Sequence, residues 1–108
     1  MRVLLDHCVD VRFAHLLPGH DVQHTKALGW ESLSNGKLLA TAEAAGFSVM
    51  VTVDKNVRFQ QNMAKRSISL ITLNPRLVDF EYIAPLAPRI NEILSEGFAQ
   101  GSEIVVSP

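Results

Sequence analysis

Two runs of apolar residues along the chain stop abruptly at a carboxylate. Val3, Leu4 and Leu5 lead into Asp6, and Val49, Met50, Val51 and Val53 lead into Asp54. Continuous β-prone runs bounded by polar residues predict strands covered on both faces, as in parallel sheets. A further run, Ile68 to Leu73, ends in Asn74-Pro75, and shorter strand patterns centre on Val22 and lie over Glu103 to Ser107.

Between these runs the apolar spacing becomes helical. Val9, Phe13, Leu16 and Leu17 predict a helix that Pro18-Gly19 stops. Ser34 or Asn35 is placed to cap a second helix, with Leu38, Leu39, Ala42 and Ala45 on one face and Gly46 as its stop. The segment from Thr25 to Ser34 reads as loop, pinned by Leu28, Trp30 and Leu33, and Lys55 to Arg66 as a polar stretch with at most a short helix. Leu77 to Leu94 carries a long helical pattern whose start Pro85 and Pro88 make irregular. Strands alternating with helices predict an α/β layer architecture with a mostly parallel central sheet and right-handed crossovers.

Composition narrows the class. A chain of 108 residues that is 47 % apolar and 19 % charged has the length of one domain, 1–108, and the composition of a packed one. A formal net charge of −1 excludes a global basic field for nucleic acid, which leaves a local patch or a metal to do that work. Cys8 is the only cysteine, so no intramolecular disulfide forms, as expected in the cytoplasm. The apolar run after Met1 is too short for a signal peptide or a membrane span.

In open parallel sheets, sites form outside the carboxyl ends of the strands. Asp6 and Asp54 occupy two such ends, and two carboxylates at one sheet edge are held together most simply by a divalent cation. Mg²⁺ and Mn²⁺ take oxygen ligands, retain waters and need only one or two carboxylates. Such an ion polarises a phosphate and activates water. The competing reading of either residue alone is an Asx-turn or a helix cap.

The stretches "VLLDHCVDVRFAHLLPGHDV", "LGWESLSNGKLLATAEAAGFSVMVTVDKN" and "FQQNM" resemble, in their order, a small bacterial PIN-like family related to VapC-type ribonuclease toxins and often described only as a domain of unknown function. The resemblance covers roughly residues 2 to 74, and it implies a PIN-like three-layer α/β/α sandwich that binds Mg²⁺ or Mn²⁺ and cleaves single-stranded RNA. It also implies a homodimer held by a cognate antitoxin protein. Asp6 matches the family's first-strand aspartate, and Thr52-Val53-Asp54 its T-x-D strand end. Asn35 stands where many relatives place another aspartate, a departure that weakens metal binding by one charge. His7 replaces a Glu found in some relatives. Of the two candidates for a remaining acid, Glu31 precedes the second helix and is the better placed, while Glu43 is expected to face solvent.

The polar run after Asp54 offers Lys55, Asn56, Arg58, Gln60 and Gln61 to RNA phosphates and bases, and Lys37 lies near a helix N-terminus that favours anions. Each also reads as an ordinary solvated position. His7 is a candidate ligand or base, or simply structural. Cys8 with His7, His15, His20 and His24 lacks zinc-site spacing, and Cys8 itself reads as a small buried hydrophobe. Trp30 is either a stacking platform for a base or the anchor of its loop. Three functions compete: a metal-dependent endoribonuclease toxin, a catalytically weakened RNA- or protein-binding module, which Asn35 favours, and a receiver-like phosphoacceptor using Asp54 and Thr72.

Overall fold

The computed structural model describes residues 1–108. The apolar runs form β1 (Arg2–Leu5), β3 (Val49–Thr52) and β4 (Ser69–Leu73), flanked by β2 (Asp21–His24) and β5 (Glu103–Val106). They pair in the order β2-β1-β3-β4-β5, and every pairing is parallel. No cis peptide interrupts the chain.

Alternation along the strands divides their side chains between two faces. Val3, Leu5, Val49, Val51, Ile71 and Leu73 point into one apolar cluster, and Leu4, Met50 and Leu70 into another. The first is closed by Phe13 and Leu17 and by α5 (Ala87–Glu96) through Ile90, Ile93 and Leu94. The second is closed by α2 (Asn35–Ala44) through Leu38, Leu39 and Ala42, and by Val57 and Met63. A three-layer α/β/α sandwich results, with a core on each side of an all-parallel sheet.

The crossovers depart from expectation in one respect. The β3–β4 and β4–β5 connections step in the same direction across the sheet, yet the first packs on the α2 face and the second, through α5, on the opposite face. Two such crossovers have opposite hands, so one breaks the right-handed rule. α5 is held on its face beside the β1–β2 connection, where Asn91 Nδ2 donates to Leu16 O at 2.9 Å. The other face of β5 carries no helix: Glu103 and Val105 are exposed there.

Local chemistry explains the remaining differences. The predicted Val9–Leu17 helix is a 3₁₀ helix over Val11–Leu16, capped by Asp10, whose Oδ1 accepts from Arg12 N at 2.9 Å. Its larger rise per residue lets six residues return the length of a strand. The predicted loop after β2 begins with α1 (Thr25–Leu28), because His24 acts as its cap. The His24 Nδ1 accepts from Lys26 N at 3.2 Å while Nε2 donates to Val9 O at 2.7 Å. Pro85 and Pro88 break the long C-terminal pattern into a single turn, α4 (Phe80–Ile83), a 3₁₀ turn and α5. The polar stretch after Asp54 forms α3 (Val57–Gln60) and a 3₁₀ turn over Met63–Lys65.

Candidate functional site

β1 has β2 on one side and β3 on the other, so chain connections diverge between β1 and β3 and open a crevice at their carboxyl ends. Asp6 follows β1 directly and Asp54 lies two residues beyond β3. The register Leu5↔Val51 places Thr52 beside Asp6, and its hydroxyl joins the two aspartates. That hydroxyl donates to Asp6 Oδ2 at 2.8 Å and accepts from Asp54 N at 3.0 Å.

Asp6 is only 1 % exposed. Its Oδ1 accepts from His7 N at 2.8 Å and lies 3.1 Å from His7 Nδ1, and the Cys8 thiol lies 3.6 Å from Oδ2. Its backbone is held as well, since Asp6 N donates to Val51 O at 2.9 Å and Asp6 O accepts from Val9 N at 2.9 Å. No Lys or Arg pairs with this carboxylate; the one ionisable ring beside it is that of half-exposed His7. Asp54 differs. Its Oδ1 accepts from Asn56 N at 2.9 Å, the Asx-turn of the competing reading, and Oδ2 has no partner in the protein.

The donor set fits a hard cation only in part. Two carboxylates suit Mg²⁺ or Mn²⁺, and each retains unfilled lone pairs, but the Thr52 hydroxyl links the Asp6 carboxylate to the backbone N–H of Asp54, not to its carboxylate. Nowhere in the chain does a group of three His, Cys, Asp or Glu side chains come close enough to share one ion. The structure therefore offers a pair of acids and no third.

The other candidates separate clearly. Ser34, not Asn35, is the N-cap of α2; Asn35 is its first residue and its Nδ2 approaches Gln60 Oε1 at 3.4 Å. Glu31 is exposed in the turn before α2 and forms no hydrogen bond or ion pair. Glu43 does not face solvent as expected. Its carboxylate accepts from Arg66 Nη1 at 2.7 Å and from Ser67 N at 2.8 Å, tying α2 to the segment before β4. Burial works against the Glu43 charge, but the Ser67 N–H and the Arg66 guanidinium outweigh it and lower the carboxyl below its ordinary range.

Among the substrate-binding candidates, Gln61 is turned toward α2: its amide accepts from Arg66 Nη2 at 3.1 Å and lies over Gly36. Gln60 faces Asn35, and Asn56 donates its backbone N–H to Asp54. Lys37 is exposed at the start of α2, while Lys55 and Arg58 line a cleft beside β4. Trp30 is the loop anchor, meeting Phe47 edge-on at 5.9 Å. Burial pushes the Cys8 thiol above its ordinary value and leaves it a weak nucleophile.

Two features were missed. Thr52 enters the sequence pattern only within the T-x-D motif, yet its hydroxyl joins Asp6 to the Asp54 backbone; a hydroxyl two residues before a strand-end acid is the signal that points to it. Phe59 was not singled out, yet it is 77 % exposed on α3 next to the cleft of Lys55 and Arg58. A second cleft, of about 390 Å³, lies on the other side of Asp6 between His7, Asp10, His24 and Lys26. Asp10 is committed there to Arg12, whose side-chain and backbone hydrogen bonds hold its carboxyl down at about 2.

Fold and site together define a doubly wound, all-parallel α/β domain with an acidic pair at its switch point. Scans against protein-family models, curated proteins and solved structures give no match to this chain. No helix is long and apolar enough to cross a membrane.

Proposed function

We propose that this chain is a PIN-like, Mg²⁺- or Mn²⁺-dependent endoribonuclease that hydrolyses single-stranded RNA, the toxin of a toxin–antitoxin pair. The observation that carries the reading is the pair Asp6 and Asp54 at the ends of neighbouring strands, joined through Thr52, with one Asp54 oxygen free. Asp6 and Asp54 would hold the ion, which when bound polarises the scissile phosphate and lowers the pKa of water. Thr52 and the His7 N–H hold Asp6 in place, and the Asx-turn to Asn56 aims Asp54. His7, set by Asp6, is the group nearest the pair that is able to accept a proton. Lys55 and Arg58 contribute the local positive charge that the net charge of −1 does not supply.

The cytoplasmic location, the homodimer and the antitoxin rest on the resemblance, together with a free thiol at Cys8 that suits a reducing compartment. A second reading is favoured by one observation. Asn35 pairs with Gln60 and no third acid joins the pair, as in a catalytically weakened module that still binds RNA. The receiver-like reading is disfavoured, because Asp6 is the single acid directly after β1, followed by His7 and Cys8.

The test is incubation of the purified protein with Mn²⁺ and labelled single-stranded RNAs, beside Asp54→Ala, with thermal unfolding followed in parallel. Cleavage and a Mn²⁺-dependent rise in melting temperature, both lost in Asp54→Ala, are expected. Intact RNA together with a melting temperature indifferent to Mn²⁺ overturns the nuclease reading, and RNA binding without either selects the weakened module.

A further inference from the structure

Where the β4–β5 crossover leaves one face of β5 bare, a cleft of about 190 Å³ opens between α3 and the sheet. It is lined by Lys55, Arg58, Phe59, Thr72, Asn74 and Val105. The lining contains two cations and no acid. Its floor is the row Thr52↔Thr72↔Val105, which continues from the Thr52 bound to Asp6. At ordinary strand spacing Thr72 and Val105 lie about 5 and about 10 Å along that row from Thr52. The cleft therefore lies one strand away from Thr52, on the same sheet edge as the acidic pair.

Its walls have the chemistry of a nucleotide. Phe59 is 77 % exposed, and the Arg58 guanidinium lies 4.9 Å from its ring centroid. A ring backed by a cation and left open to water has a large solvation incentive to take a second flat partner. Thr72 is a buried residue whose hydroxyl has no partner in the protein and is not sealed from solvent, so it faces the cleft as a group open to a ligand. Asn74 donates Nδ2 to Ser107 Oγ at 3.2 Å, which leaves its carbonyl oxygen for an incoming N–H. Val105, 43 % exposed, adds an apolar surface to the floor.

We propose that Phe59 is the stacking platform for one unpaired base of single-stranded RNA, with Lys55 and Arg58 on its phosphates and Thr72 and Asn74 at the base edge. The inference rests on the reading of this sheet edge as the RNA-facing one, and it adds the subsite that orders the strand beside the acids. An acidic peptide is the competing occupant. A peptide would use the two cations but has no need of an open aromatic face aligned with unpartnered hydrogen-bonding groups.

The experiment is metal-free, so that binding is read apart from cleavage. Fluorescein-labelled oligouridylate of about eight nucleotides is titrated with protein in EDTA and followed by anisotropy. Phe59→Ala is expected to weaken binding by on the order of tenfold, and Phe59→Trp to retain it. Replacing the bases by abasic units is expected to weaken wild-type binding equally and to leave no further effect of Phe59→Ala. Because Phe59 is a surface residue, both variants are expected to keep the wild-type melting temperature. Wild-type affinity in Phe59→Ala, equal binding of base-bearing and abasic strands, or absence of wild-type binding each overturns the proposal. A base-dependent, Phe59-dependent affinity with no cleavage in Mn²⁺ overturns the nuclease reading and leaves the subsite standing. Cleavage with no Phe59 effect does the reverse.

Discussion

Asp6 and Asp54 end neighbouring strands of the same sheet and are held in opposite ways. Asp6 is buried, receives donors on both oxygens and is fixed at its own N–H and carbonyl. Asp54 is half-buried in a loop and keeps one oxygen without a partner. The difference follows from position: the residue next to the strand still shares the sheet's hydrogen bonding, and two residues further the chain has left it. An acidic pair of this kind divides its work. One carboxylate is part of the fold's hydrogen-bond framework, and the other remains available to a ligand.

The sharpest way to break this division is to remove Asp54. Asp54→Ala should lower RNA cleavage by on the order of a hundredfold or more while lowering stability by about 1 kcal/mol or less in urea unfolding. A large stability loss with activity retained would reverse the roles of the two residues. Asp6→Ala should cost about 3 kcal/mol, since it leaves the Thr52 hydroxyl and His7 N–H unpaired in a buried place. Thr52→Val, which keeps the shape and removes the hydroxyl, should cost about 1–2 kcal/mol, and Thr52→Ser should recover most of it. If Thr52→Val unfolds like wild type, the link between the aspartates does not stabilise the edge.

Glu43 provides the smallest and most remote contrast, a carboxylate used wholly by the fold. Its folded pKa is lowered, so its contribution is complete above the ordinary carboxylate range and is lost as pH falls through that range toward the folded value. Glu43→Gln should therefore lose about 1 kcal/mol near neutrality and show a flatter stability profile in acid than wild type. Equal acid slopes for the two proteins would remove Glu43 from the account.

Much of the fold was legible because the three central strands, β1, β3 and β4, are buried on both faces. Runs such as Val49–Thr52 have no polar side to confuse the pattern, and all five strands lie where the apolar runs predict. The parallel class was legible from alternation alone. The 3₁₀ helix over Val11–Leu16 was not, because periodicity over two turns does not distinguish its rise from that of an α-helix. Nor was the hand of the last crossover, which depends on α5 finding a place beside Leu16. At the candidate site the two aspartates were readable as strand ends. The engagement of Glu43 by Arg66 and the exposure of Phe59 are tertiary facts: the first brings together residues 23 positions apart, and the second depends on which face of β5 lacks a helix.

Gly101 shows how that geometry constrains tolerance to mutation. It sits before β5 at a φ of +72°, and a Cβ there would meet Met63 O at 2.6 Å and Arg66 O at 2.9 Å. Backbone atoms on both sides leave nothing able to rotate away, so no side chain fits without moving the turn over Met63–Lys65. The chain is thus closed tightly at the amino end of β5 and open at its carboxyl end. In a saturation screen, position 101 should stand out as accepting glycine alone, although it lies at the far end of the sheet from Asp6 and Asp54 and touches nothing chemical.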